Sequence, residues 1–125
     1  MTENELAKIV VNTCFEIHKE LGPGLLESVY EEVLCYELDR KGLIFKRQHQ
    51  FPVMWRGVAL PKGFRVDVLV EDKFIVEFKS VLEVQKVEYK RLQTYLKLLD
   101  KRLGLMINFN EVLIKNGIKR VVNGL

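Results

Sequence analysis

The stretch from Phe64 to Ser80, Phe-Arg-Val-Asp-Val-Leu-Val-Glu-Asp-Lys-Phe-Ile-Val-Glu-Phe-Lys-Ser, limits what this chain can fold into more than any other. Two runs rich in β-branched and aromatic residues flank a short polar break at Glu71, Asp72 and Lys73, the pattern of a β-hairpin. Alternation along a strand puts Arg65, Asp67 and Leu69 on one face of the first strand, and Ile75, Glu77 and Lys79 on one face of the second. A three-residue loop pairs Val70 with Phe74 and sets Asp67 opposite Glu77. A two-residue loop would turn the two carboxylates to opposite faces, because a slip of one residue inverts a strand. We expect the even register.

That register gathers two acids and a lysine. Adjacent carboxylates raise each other's pKa, so the arrangement is costly without a cation. A hard divalent ion, Mg²⁺ or Mn²⁺, suits carboxylate oxygens. It can bridge a phosphate and activate water, while Lys79 places positive charge at the attacking water or the transition state. The spacing Asp-x9-Glu-x-Lys is therefore coherent for phosphodiester hydrolysis. Glu-x-Lys alone is common on solvated hairpins; the in-register Asp67 gives the trio its weight.

At 125 residues the chain reads as one domain, residues 1–125, large enough to bury a core without disulfides or structural metal. Its 20 Lys and Arg against 17 Asp and Glu leave a net charge of +3, a mild basic excess that says little about nucleic acid. No uncharged run is long enough to span a membrane, and the acidic amino terminus has no signal-peptide core. Cys14 and Cys35 fall in predicted helices and read as buried thiols of a reducing, cytoplasmic compartment.

In chain order, apolar spacing predicts a helix over 3–21, with Thr2 and Glu5 at capping-box distance. His18 reads as a satisfied, partly buried side chain. Leu21-Gly22-Pro23-Gly24 turns the chain into a second helix over 25–41, with Glu27 in its first turn. Residues 43–55 read as extended, with Pro52 at an edge or bulge. Arg56-Gly57 and Pro61-Lys62-Gly63 read as turns, and three antiparallel strands precede Ser80. His49 is a surface residue. A helix is expected over 84–99, with Val87, Leu92, Tyr95, Leu96 and Leu99 buried, and its cations are solvated or contact phosphate. Leu103 to Asn108 reads as a buried strand. Val112 to Lys115, Asn116-Gly117 and Ile118 to Val122 carry the signal of a hairpin with a type I′ turn.

Gly24-Leu25-Leu26-Glu27-Ser28-Val29-Tyr30 resembles the signature that names the GxxExxY protein family, and the preceding Leu-Gly-Pro-Gly is similar to its lead-in. The hairpin with Asp67, Glu77 and Lys79, the Tyr95-Leu96-Lys97 segment and the Leu103 to Phe109 strand continue the likeness over nearly the whole chain. That family is placed among the PD-(D/E)xK nuclease-like proteins. The resemblance implies an α/β (α+β) fold: a mixed sheet flanked by helices in the order α-β-β-β-α-β, here with an extra N-terminal helix and a C-terminal hairpin. It places Asp67, Glu77 and Lys79 at the metal-binding and catalytic positions, with Glu27 as an additional acid. Related branches carry a Gln four residues before the helical Tyr; Arg91 stands there in this chain, while Gln93 lies two residues from Tyr95 and points elsewhere.

The leading expectation is a Mg²⁺- or Mn²⁺-dependent nuclease acting on nucleic acid, with DNA as the expected substrate. Asp67, Glu77, the backbone carbonyl of Phe78 and Glu27 hold the metal, Lys79 positions water, and Arg65, Arg91 and Tyr95 face the nucleic acid. A nuclease-like binding or assembly module without turnover is the alternative. A structural, dimer-forming protein is a third, resting on the apolar edge from Phe51 to Trp55. A homodimer would suit a small domain that grips a duplex.

Overall fold

The structure, a computed structural model describing residues 1–125, sets a five-stranded sheet between helices. Helices α1 (Glu3–Leu21) and α2 (Glu27–Arg40) precede strands β1 (Phe45–Trp55), β2 (Val58–Val70) and β3 (Phe74–Lys79). Helix α3 (Lys86–Leu99), strand β4 (Leu103–Asn108), a 3₁₀ turn (Ile114–Gly117) and strand β5 (Ile118–Val122) complete the chain. The strands lie in sequence order, β1-β2-β3-β4-β5. All neighbours are antiparallel except β3 and β4, which α3 joins as a parallel pair. No helix is long and apolar enough to cross a membrane.

Alternation along the central strands decides which helix covers which face. Phe74, Val76 and Phe78 of β3, with Leu103, Leu105 and Ile107 of β4, pack under Leu6, Val10 and Ile17 of α1 and Tyr30 and Leu34 of α2. Ile75 and Met106 point the other way, onto Leu92 and Leu96 of α3. The inner strands are thus buried on both faces, as their continuous apolar runs require. Val87 is the exception among the expected core positions of α3, for it is 59% exposed.

Thr2 caps α1 through the expected capping box: its hydroxyl accepts from the Glu5 N–H, and the Glu5 carboxylate accepts from the Thr2 N–H. His18 is buried, its Nε2 2.7 Å from the Glu111 carbonyl oxygen, a satisfied side chain as read from sequence. Cys14 and Cys35 are buried free thiols.

Two turn readings are corrected. Pro61-Lys62-Gly63 does not reverse the chain, for β2 runs through it. Phe51 pairs with Phe64 and Val53 with Leu60, so these three residues face the single Pro52 as a bulge. Both prolines fall where the ladder is interrupted and no N–H is needed. Gly63 is required by contact, since a Cβ there would lie 1.7 Å from the Phe51 carbonyl oxygen. The second correction concerns the C-terminal hairpin. Asn116-Gly117 lies within the 3₁₀ turn, and β5 takes β4 as its antiparallel partner, in place of Val112 to Lys115. The longer-range pairing wins because β4 offers a fully buried apolar edge.

Candidate active site

The hairpin adopts the even register. Val70 pairs with Phe74, Leu69 with Ile75 and Val68 with Val76. At the next step the acids themselves take over the ladder. The Asp67 N–H donates to Glu77 Oε2 at 3.1 Å, and the Phe78 N–H donates to Asp67 Oδ2 at 2.9 Å. Two side chains substitute for a backbone pair, which holds both carboxylates against the same end of the sheet. The Phe78 ring turns away into the core under α1 and α2.

A cleft of about 160 Å³ opens there, between the sheet and α3. Glu27, Arg65, Asp67, Glu77, Lys79, Arg91 and Tyr95 all line it, so every side chain expected at the site from sequence converges on one volume. Gln93 is not among the lining residues.

Glu27 arrives by way of the Gly-x-x-Glu-x-x-Tyr segment. Gly24 takes φ +97°, open to glycine and strained for other residues. The Tyr30 hydroxyl donates to the Gly22 carbonyl at 2.6 Å and accepts from the Leu25 N–H at 3.0 Å, closing the loop on itself. Tyr30 is fully buried and stacks on Phe109 at 4.2 Å. Ser80 ties the same loop to the end of β3, its hydroxyl donating to the Leu25 carbonyl at 2.6 Å. The tyrosine therefore fixes the loop, and the loop delivers the first residue of α2 to the cleft.

Burial dominates the electrostatics of Glu77. Glu77 is 9% exposed and lies on the face shared by Ile75 and Met106. Burial first, then a hydrogen bond to the Asp67 carboxylate and its charge, pushes the Glu77 pKa up to about 9. The Asp67 N–H and the Lys79 charge oppose this without overcoming it. Glu77 is thus held protonated at neutral pH. Burial also raises the Glu27 pKa, against the pull of Lys79.

Lys79 is not free. Its Nζ lies 2.8 Å from Glu88 Oε2, and Arg91 Nη1 contacts the same oxygen at 3.1 Å. Burial works to lower the Lys79 pKa, but the Glu88 hydrogen bond and the charges of Glu88, Glu27 and Glu77 carry it above the ordinary value. Within the cleft, Glu88 is the charged residue that sequence reasoning missed. Three residues before Arg91 and seven before Tyr95, it shares their helix face, which was the available signal.

A second network braces Asp67 from behind. Buried Glu31, one turn after Glu27, accepts from Gln48 Nε2 at 2.6 Å and from Arg47 at 3.1 Å. The same Gln48 amide donates to Asp67 Oδ1 at 3.2 Å. Gln48 holds φ +49°, a strained value for a non-glycine residue. Tyr95 stacks on Phe64 at 4.9 Å, so its ring packs α3 against β2.

The donor set suits a hard divalent cation. Asp67 and Glu77 offer carboxylate oxygens, and the proton on Glu77 stands where positive charge is wanted. No three His, Cys, Asp or Glu side chains lie close enough to enclose an ion by themselves. The pair supplies a partial shell, which fits an ion that keeps several waters beside one or two carboxylates.

No curated protein and no solved structure gives a match to this chain. Residues 4–121 match the family model described as the PD-(D/E)XK nuclease superfamily, which spans both the acidic hairpin and the helices that frame the cleft, and the chain belongs to that superfamily.

Proposed function

We propose that residues 1–125 act as one unit, a Mg²⁺- or Mn²⁺-dependent nuclease of the GxxExxY branch that hydrolyses DNA phosphodiester bonds. The observation that carries the proposal is the meeting of Asp67, Glu77 and Lys79 in one cleft with Glu27 beside them. Asp67 and Glu77, with the Phe78 carbonyl, would hold the ion, and Glu27 would reach it directly or through water. A divalent cation there supplies Lewis acidity and neutralises charge on the phosphate. Holding it would require the carboxylate form of Glu77, its proton passing to solvent. Lys79 orients the attacking water, and Glu88 keeps its ammonium charged and in place. Arg65 and Arg91 bind the phosphate, beside Tyr95.

All the groups come from one chain, and the mechanism needs no second copy. Buried Cys14 and Cys35, both raised in pKa by burial, fit a reducing compartment such as the cytoplasm.

Incubation of plasmid and linear DNA with Mn²⁺ tests the reading. Asp67→Asn, which still accepts from the Phe78 N–H, and Lys79→Ala should each lower cleavage by about 10²–10³-fold while both proteins remain folded. Cleavage that persists in either variant sinks the assignment. Absence of cleavage by the unaltered chain, with Mn²⁺ binding intact, favours a binding module that retains the site.

A further inference from the structure

The cation excess of this protein is confined to one segment. From Phe45 to Val66 there are five Lys or Arg, namely Lys46, Arg47, Arg56, Lys62 and Arg65, and no Asp or Glu. The remaining 103 residues carry 15 Lys or Arg against 17 acids, a net charge of −2 (20 less 5, and 17). This acid-free segment is β1, its turn and most of β2.

It is also a two-stranded ribbon. β3 pairs with β2 only at Val68, Leu69 and Val70. Beyond Asp67 the ribbon has no other strand beside it, and it extends roughly 20 Å from His49 to Trp55 at the usual rise per residue. The turn is Arg56-Gly57, both with positive φ, the two-residue connection that keeps a ribbon's twist. Its root is fastened to the active-site helix through the stack of Phe51 on Phe64 and Phe64 on Tyr95, at 5.6 and 4.9 Å. Its tip exposes Met54, Trp55 and Val58, with the Arg56 guanidinium over the Trp55 ring.

Charges on an edge strand often serve only to block pairing with another sheet. Beyond Asp67 both strands of the ribbon are open edges, but charge of either sign would block pairing there, and every charge on it is a cation. Of the five, only Arg47 has an acidic partner, Glu31; Lys46, Arg56, Lys62 and Arg65 form no ion pair. Four unpaired cations on an exposed ribbon whose inner strand runs into Asp67 form a surface complementary to a polyanion that continues into the cleft.

We infer that the β1–β2 ribbon is the arm with which this protein grips B-form duplex DNA, lying in a groove and setting a phosphate at the cleft. The major groove of B-DNA is about 12 Å wide and admits a two-stranded ribbon, whereas that of an A-form RNA duplex is deep and too narrow for side chains. Met54, Trp55 and Val58 supply apolar contact to thymine methyls, and the cations contact phosphate. The inference rests on the nucleic-acid reading above for the class of ligand, and adds strandedness and the element that reads it.

The test is fluorescence anisotropy of a labelled 20–30 base-pair DNA duplex with the full chain in chelator, where nothing is cut, over a range of salt. Arg56→Gln with Lys62→Gln should weaken duplex binding at least fivefold. It should also reduce the slope of log K against log salt by about two, since each phosphate contact contributes about 0.9. The same duplex as RNA, and the separated DNA strands, should bind more weakly than the DNA duplex. An unchanged slope in the double variant, or tighter binding of single strands, overturns the arm. A chain that binds duplex through the arm yet never cuts it with Mn²⁺ leaves the arm standing and removes hydrolysis. One that cuts DNA while the double variant keeps its slope does the reverse.

Discussion

The two ends of β2 differ in everything except their strand. From Val66 to Val70 the residues are buried or half-buried, β3 pairs alongside, and Asp67 abuts an acid that is held protonated. From Val58 to Arg65 all but Phe64 are exposed, only β1 pairs alongside, and all the charge is positive and in water. At the buried end a charge alters stability by kilocalories because solvation is lost. At the free end it alters stability little and long-range attraction more. One strand thus joins a site kept at a stability cost to a surface kept at none, and substitutions at its two ends should separate these currencies.

The largest effect is expected at Glu77. Its pKa in the folded protein, about 9, lies above the 4.5 of an ordinary glutamate. Between those values the folded chain binds a proton that the unfolded chain does not. Stability of the metal-free protein therefore falls as pH rises from about 4.5 to about 9, and the contribution is fully present only below that window. Glu77→Gln keeps the neutral form at every pH. It should raise the unfolding free energy at pH 7, by up to about 3 kcal/mol, and flatten the decline toward pH 9. Mn²⁺ should recover stability in the unaltered chain and not in the variant. A pH-independent difference between the two proteins would show that Glu77 is ionised without metal.

The register of this hairpin was legible because loop length and alternation both point to one answer, and burial of one face penalises the other. The elements around it followed from periodicity, and α1 begins and ends where its cap and Gly22 place it. What was hidden depends on neighbours distant in sequence. Glu88 looks like any acid in a first turn that complements a helix dipole; its bond to Lys79 exists only once α3 is laid on β3. Pro61-Lys62-Gly63 has the chemistry of a turn, and that chemistry serves a bulge equally well. Asn116-Gly117 failed as a hairpin signal because β4 competes for β5. Gln48 carried no local mark at all, although it touches both Glu31 and Asp67.

Gln48 provides the intermediate test, since it lies at the boundary between the two ends. Gln48→Ala and Gln48→Gly both remove the amide that joins Glu31 to Asp67, but only glycine accepts φ +49° without strain. Cleavage should fall about tenfold in both, the usual scale for a group that orients a ligand residue. Stability should differ, with alanine lower than glycine by about 1 kcal/mol. Equal activity to the unaltered chain in either variant would mean that Asp67 keeps its orientation from the Phe78 N–H alone.

The smallest effect belongs to the free end. Lys62 is exposed and unpaired, and Arg56 touches only the exposed Trp55 ring, a contact worth at most about 0.5–1 kcal/mol. Urea unfolding should place Lys62→Gln within about 0.5 kcal/mol of the unaltered chain, and Arg56→Gln no more than slightly below it. A greater loss at Lys62 would mean that its cation is engaged in holding the bulge at Pro61-Lys62-Gly63. The charge would then belong to the fold and would not be free for a polyanion. Near-neutral values, set beside a several-kilocalorie pH dependence governed by Glu77, would establish that β2 carries its structural stake at one end and its binding charge at the other.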